Sequence, residues 1–336
     1  MHRLGIVSGT GTARKRTVPA LRESDVCRVS VVHGRNAGAL RQLADADPGV
    51  AVTTDLAEFA ARRDEYDVVF VASPPFLHLE HVEFALTLGK PVICEKPLTS
   101  DRAAPARIGA LVEAAGVPFV VAHQLRHQPA VAQLRSLIQD GELGAVSTAS
   151  LQWSFWMNHD APSASWKLDP ALGGPNALFD AGVHAVDLAL HLFGRPEAVR
   201  ARGHHARSTR TADTVVATLD YRAFAVTVTA SQSAGPALND LLVTCEHGAV
   251  RAPGLLAERS LDHLEILTAD GSRRVDHAPV NLYRAEIEDF CRHLDGAAHP
   301  GTTLHEAILA TEIMFAAQDS IDVGGAPVRI GPAGES

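Results

Sequence analysis

The sequence predicts two domains: an N-terminal α/β domain on a doubly wound parallel sheet, then a C-terminal α+β domain with a largely antiparallel open sheet. Three observations carry this. The first third of the chain alternates short, nearly continuous apolar runs with helical patterns, and strands without a polar face belong to a parallel sheet covered on both sides. After about residue 123 the rhythm changes to consecutive strand-like segments joined by turns. Finally, 336 residues exceed one ordinary core, so two domains are expected, at 1–122 and 123–336.

Taken in order, residues 4–7 form a strand leading into a Gly-rich turn and a helix near 14–22. Strands at 26–32, 50–53, 68–72, 92–94 and 119–122 then alternate with helices at 37–44, 56–63, 77–88 and 102–115. Gly89 closes the helix at 77–88. The pattern is that of a Rossmann-like domain. In the second part a helix at 130–139 ends at Gly141, and a strand follows at 146–157. An irregular stretch, 158–175, precedes a helix at 177–193 and strands at 198–205, 214–221, 224–231, 241–246, 263–267 and 273–276. Helices at 282–294 and 304–320 and a short strand at 328–330 complete the chain.

Composition excludes several roles. A net charge of -9 argues against nucleic acid as the main partner. No apolar run approaches membrane-spanning length and the N-terminus lacks a signal-peptide pattern, so no membrane partner and a cytoplasmic location are expected. Cys27, Cys94, Cys245 and Cys291 are scattered without CxxC spacing, which fits free thiols in a reducing compartment and no zinc site.

The chemistry concentrates at Glu95-Lys96-Pro97, where an apolar strand ends in a charged pair locked by a proline. A buried parallel strand has no structural use for an acid and a base at its carboxyl end, yet that end is where ligands bind. Pro97 also keeps Lys96 out of the helical region. The first turn, Ser8-Gly9-Thr10-Gly11-Thr12, suits backbone approach to a pyrophosphate, although it matches G-x-G-x-x-G imperfectly and reads also as a Gly-rich surface loop. After the second strand, Gly34-Arg35 stands where an NAD site would place an acid for the ribose 2′-hydroxyl. Arg35 can stack on adenine and pair with a 2′-phosphate, so NADP is preferred over NAD.

Asp180, His184, Asp187 and His191 fall on one stripe of the helix at 177–193, whose other positions are almost wholly apolar. By itself the stripe reads equally as a satisfied core network; a metal would need a further ligand cluster that the sequence does not show, so none is expected. With Lys96, a proton-transfer reading gains weight. Gly182 inside that helix costs about 1 kcal/mol against alanine, which suggests a close approach to its backbone. Trp153, Trp156 and Trp166 lie within fourteen residues and suit the C–H face of a sugar or cyclitol.

These residues carry a resemblance. The chain resembles the glucose-fructose oxidoreductase / inositol dehydrogenase (Gfo/Idh/MocA) family through the Gly-rich turn, Ser73-Pro74-Pro75-x-x-His78, Gly89-Lys90-Pro91 leading to Glu95-Lys96-Pro97, and Arg126-x-x-Pro129. Gly141-x-x-Gly144, Gly173-Gly174 and Asp180-x-Gly182-x-His184-x-x-Asp187 extend it. The resemblance implies Lys96, His184 and Asp180 as catalytic residues: Lys96 orients substrate or shuttles its proton, His184 is the acid/base, and Asp180 binds substrate or tunes that histidine. It places Ser73, Pro74, His78, Glu95, Lys96 and Gln124 on the cofactor side. It places Arg126 near the nicotinamide or substrate and the catalytic three at the substrate, while Trp153 and Trp166, by their own flat faces, are read as substrate-binding residues of the pocket wall. Pro75 departs from the asparagine common at its position. The implied activity is hydride transfer between NAD(P) and a secondary alcohol or ketone of a sugar, ketosugar or cyclitol, in a homodimer or homotetramer joined through the C-terminal sheet. The alternatives are a redox-cycling lyase or glycosidase with tightly held NAD, and a non-catalytic dinucleotide-binding regulator.

Overall fold

The computed structural model describes residues 1–235, 237–298 and 301–331. The chain divides into two compact units. The first comprises Met1–Thr99, Ala103–Gln124 and Asn281–Ile308. Its strands are β1 (His2–Val7), β2 (Cys27–His33), β3 (Ala51–Thr53), β4 (Val68–Val71), β5 (Val92–Glu95) and β6 (Phe119–Ala122). They are parallel, in the order β6-β5-β4-β1-β2-β3, and β1 sits between β4 and β2 where the chain reverses direction across the sheet. In an open parallel sheet that reversal opens a crevice at the carboxyl ends of the strands. Two apolar clusters cover the two faces; Ile6, Phe70 and Ile93 point into one, and Val7, Val71 and Cys94 into the other.

Two local differences from the sequence reading have physical causes. The helix expected near 14–22 is two short helices, Thr12–Lys15 and Thr17–Leu21, with Arg16 at φ -123° between them. Pro19 accounts for the break, because its ring has no N–H and would clash with the carbonyl of Lys15 in a continuous helix. The segment 281–308, read from sequence as part of the second domain, belongs with the first unit. Its helix Leu282–Leu294 packs on β2 and on Thr17–Leu21, sinking Ile287, Phe290 and Cys291 into the cluster that holds Ile93 and Ala122. Thr302–Thr303 then adds a short antiparallel strand beside β6.

The second unit comprises Ser100–Arg102, Leu125–Val280 and Leu309–Ser336. Its strands are β7 (Val146–Ser154), β8 (Ala198–His204), β9 (Thr214–Asp220), β10 (Ala225–Ser231), β11 (Leu241–Cys245), β12 (Gly248–Ala252), β13 (His263–Thr268) and β14 (Gly271–Asp276). The order is β14-β13-β12-β11-β7-β10-β9-β8, with Val328–Arg329 beside β8. All described pairings are antiparallel except β7 with β10. The helix Val183–Phe193 lies on β7 and β10, the two central strands, and Val183 through Leu190 are all buried. Strand β12 is absent from the sequence reading: it begins at a glycine and carries Arg251, and its partner β11 is only two residues away.

Candidate active site

The cofactor half of the site is assembled by strand order. β5, β4, β1 and β2 are neighbours and parallel, so the segments that follow them emerge at one edge. Those segments hold Glu95-Lys96, Ser73-Pro74, Ser8 to Thr12 and Gly34-Arg35, and Gln124 follows the next strand, β6. The turn after β1 is tied down: Gly9 N–H donates to the carbonyl of His33 at 2.8 Å, and Ser8 N–H reaches the His33 ring at 3.3 Å. Ser8 takes a left-handed conformation, φ 61°, to make the corner. A Cβ on Gly9 would lie 2.6 Å from Val32, so only glycine lets this backbone settle on the sheet. Gly11 is different, being exposed and facing open space. The turn's outer edge is thereby left uncovered, and these residues fit a dinucleotide whose pyrophosphate is approached by backbone N–H groups. Such a cofactor supplies the hydride-accepting or hydride-donating ring. Arg35 is exposed beyond β2.

His78 requires a correction. It is fully enclosed, with one ring nitrogen 2.8 Å from the Ser73 carbonyl and the other 3.0 and 3.1 Å from the carbonyls of Pro97 and Leu98. Burial holds its pKa down to about 4, against the pull of those three carbonyls. A neutral ring donates through one nitrogen only, so His78 hydrogen-bonds the carbonyl on one side and packs its other nitrogen against the turn opposite, filling the space behind both turns. The direct cofactor contact expected from sequence is not one that a fully enclosed ring can make. The Lys96–Pro97 peptide is cis. Glu95 accepts from the backbone N–H of Lys96 at 3.1 Å, and burial raises its pKa while the Lys96 charge lowers it.

The strand pleat reveals a residue that the sequence reading missed. Ile93 faces the cluster under the helix Leu282–Leu294, and alternation puts Glu95, two residues on, on that same face. Glu286 belongs to that helix and is only 6% exposed. Its pKa is raised well above the carboxylate range, first by burial and then by the charge of Glu95, with Lys96 opposing. A signal for it was present: Leu282, Glu286 and Phe290 follow at i, i+4 and i+8, and an acid inside an apolar stripe asks for an explanation.

In the second unit the stripe predicted on a single helix is broken. Ala177–Phe179 is a 3-10 turn, Asp180 lies beyond its end at φ -110°, and the α-helix starts only at Val183. Gly182 explains this geometry. A Cβ there would meet Leu178 at 2.5 Å and the Ala230 side chain on β10 at 2.9 Å, so the chain must pass hard against the sheet. That proximity organises the chemistry. Ala230 and Trp153 are register partners on adjacent strands. The Trp153 indole stacks on the His184 ring, centroids 4.2 Å apart and planes 15° from parallel. Two residues beyond Ala230, Gln232 donates to Asp180 at 3.0 Å. Lys167 donates to the other Asp180 oxygen at 2.7 Å. Asp180 is therefore held off the helix by two donors that no sequence periodicity marks. Asp180 carries charge, His184 an imidazole, and the pair is suited to move or hold a proton.

Arg126 and the outer tryptophans differ from expectation. The Arg126 guanidinium makes three hydrogen bonds of 2.7–3.1 Å to Asp187, and both side chains are 1% exposed. This pair ties Gln124–His127 to the helix that carries His184, and makes Arg126 a strut rather than an open substrate ligand. The three tryptophans do not form one wall: Trp153 is buried on His184, Trp156 is 60% exposed with Arg207 stacked 3.6 Å from its ring centre, and Trp166 is half-buried beside Lys167. Among the described residues no helix is long and apolar enough to cross a membrane.

Comparison with known proteins agrees with this architecture. Residues 3–123 match the family model described as an oxidoreductase family with an NAD-binding Rossmann fold, and residues 131–251 match the GFO/IDH/MocA C-terminal domain. D-xylose 1-dehydrogenase (NADP+) 2 of Haloferax volcanii is 26% identical over 96% of this chain and 98% of that protein. A scyllo-inositol 2-dehydrogenase (NADP+) of Bacillus subtilis is 30% identical over 46% of this chain and 43% of its own length. The aldose-aldose oxidoreductase of Caulobacter crescentus, solved with glycerol, superposes with a TM-score of 0.87 at 20% identity, covering 98% of this chain and 99% of that one; this likeness speaks for the fold. The two family models lie end to end over the dinucleotide half and the helix-on-sheet half just described, and the chain belongs to the Gfo/Idh/MocA family of NAD(P)-dependent oxidoreductases.

Proposed function

We propose that this oxidoreductase transfers hydride between NADP, in preference to NAD, and a secondary alcohol or ketone of a sugar, ketosugar or cyclitol. The observation that carries this reading is Lys96 at the carboxyl end of β5, on the same sheet edge as the Gly-rich turn, with a carboxylate beside it. A cation there supports negative charge on a substrate oxygen. His184, held by its stack on Trp153, takes or returns the hydroxyl proton. Asp180 accepts a substrate hydroxyl or orients the acid/base. The relatives named for D-xylose and scyllo-inositol favour a polyhydroxylated ring as substrate.

Turnover is read by nicotinamide absorbance over a panel of aldoses, ketosugars and cyclitols with each cofactor. Lys96→Ala and His184→Ala are each expected to lower kcat/KM by about 10²–10⁴-fold, and Arg35→Asp to reduce NADP preference by about tenfold or more. Wild-type rates in both alanine variants would remove the assigned roles; unchanged NADP preference would remove that of Arg35. Val216 and Leu242 are exposed on the outer face of the second unit's sheet. That supports a homodimer or homotetramer through this face, to be tested by light scattering. The four unbridged cysteines support a cytoplasmic location, which cell fractionation tests.

A further inference from the structure

Glu286 lies on the sheet-facing stripe of the helix Leu282–Leu294, and its Oε2 has no hydrogen-bond partner. Strand alternation puts Glu95 on the same face of β5 as Ile93, which packs under that helix, and both Glu95 and Lys96 act on Glu286 electrostatically. Among the described residues, the other elements packed against the helix supply no counter-charge. Thr17–Leu21 carries no charged side chain, Arg28 on β2 is exposed, the free thiol of Cys27 hydrogen-bonds that of Cys291, and His33 feels the charges of His81, Asp55 and Arg35. One ammonium can balance one carboxylate; a second anion, buried and with one oxygen lacking a donor, would cost several kcal/mol, so a proton is retained instead. We propose that Glu286 is a positioning residue of the active site: a carboxylic acid kept protonated behind Glu95 and Lys96, so that Lys96 answers to a single negative charge and keeps its field for the substrate oxygen.

This rests on the reading of Lys96 as a catalytic residue. An ionised Glu286 would place Lys96 between two anions and weaken its support of a substrate alkoxide. The sign of the linkage is definite. An acid whose folded-state pKa is raised contributes stability that is complete below its unfolded pKa and is lost as pH rises through the folded one. Glu286→Gln mimics the protonated acid and cannot ionise. Relative to wild type, its melting temperature is therefore expected to rise steadily as pH climbs above the ordinary carboxylate range, and to rise less when Glu95→Gln is also present. The kcat/KM profile of Glu286→Gln is expected to keep its maximum within about threefold while its alkaline limb moves to higher pH. Glu286→Leu, of similar size but without a polar group, separates packing from charge.

A gap in melting temperature that does not change with pH, or that is equal with and without the Glu95 charge, overturns the proposal. So does an alkaline limb unmoved in Glu286→Gln, or one that moves in Glu286→Gln but not in Glu286→Leu, which cannot ionise either. Failure of the underlying reading is told apart by Lys96→Ala alone: if that variant turns over at the wild-type rate, Lys96 is not catalytic whatever Glu286 does to stability.

Discussion

The two units bury ionisable groups in opposite ways. In the second, Arg126 and Asp187 enter the interior together, each hydrogen-bonded to the other. In the first, His78 and Glu286 are buried with no ion pair among the described residues, and both are pushed toward their neutral forms. A buried pair that is fully matched fixes geometry but hardly responds to pH, whereas a buried group without a match stores its response in protonation. The first unit is accordingly the one whose electrostatics can be tuned around a cofactor. The second supplies a stiff frame on which Asp180 and His184 are mounted.

The largest expected effect breaks the matched pair. Asp187→Ala leaves a buried guanidinium without its carboxylate and is expected to cost about 3–5 kcal/mol in denaturant unfolding. Arg126→Met combined with Asp187→Leu is expected to recover most of that loss, because an apolar pair of similar volume incurs no desolvation penalty. If the single variant costs under about 1 kcal/mol, the pair is not the strut described here and the contrast between the units weakens.

The unmatched side is tested through His78. Its folded pKa of about 4 lies below the ordinary value of 6.5, so the stability it contributes is present above 6.5 and is lost as pH falls through about 4. That shift amounts to about 3 kcal/mol at its full extent. The stability advantage of wild type over His78→Asn is expected to shrink as pH falls through this window, measured by urea unfolding at each pH. An advantage independent of pH would mean that the ring carries no proton-linked strain, and that its enclosure matters for shape alone.

Much of this was legible in the sequence, for a physical reason. Near-continuous apolar runs such as Val68–Val71 can only be doubly covered strands, and charged residues at the end of one, Glu95-Lys96, can only be functional or costly. What escaped was long-range. Glu286 is separated from Lys96 by most of the chain, and only the return of residues 281–308 to the first unit brings them together. Lys167 ends a helix of only four residues, Ala164–Lys167, and Gln232 sits just past a strand, where no period singles out a side chain. The helical period itself misled at Asp180: i, i+4 spacing to His184 looks like one helix face, but Gly182 lets the chain turn against β10 before the helix begins.

Gly182 gives the smallest and sharpest of the three tests, because it bears on the second unit's frame without touching a charge. Gly182→Ala places a methyl where Leu178 and Ala230 already stand, at 2.5 and 2.9 Å. Overpacking of this kind costs about 1–3 kcal/mol. The strain can be relieved only by moving the 3-10 turn or the helix start away from β10, which shifts Asp180 from Gln232 and His184 from Trp153. Cofactor binding depends on strand ends in the other unit and is expected to stay within about twofold of wild type by fluorescence titration, while kcat/KM for the sugar falls. Equal losses in both would show that Gly182 supports folding in general. A loss confined to turnover would show that the frame of the second unit exists to aim two side chains.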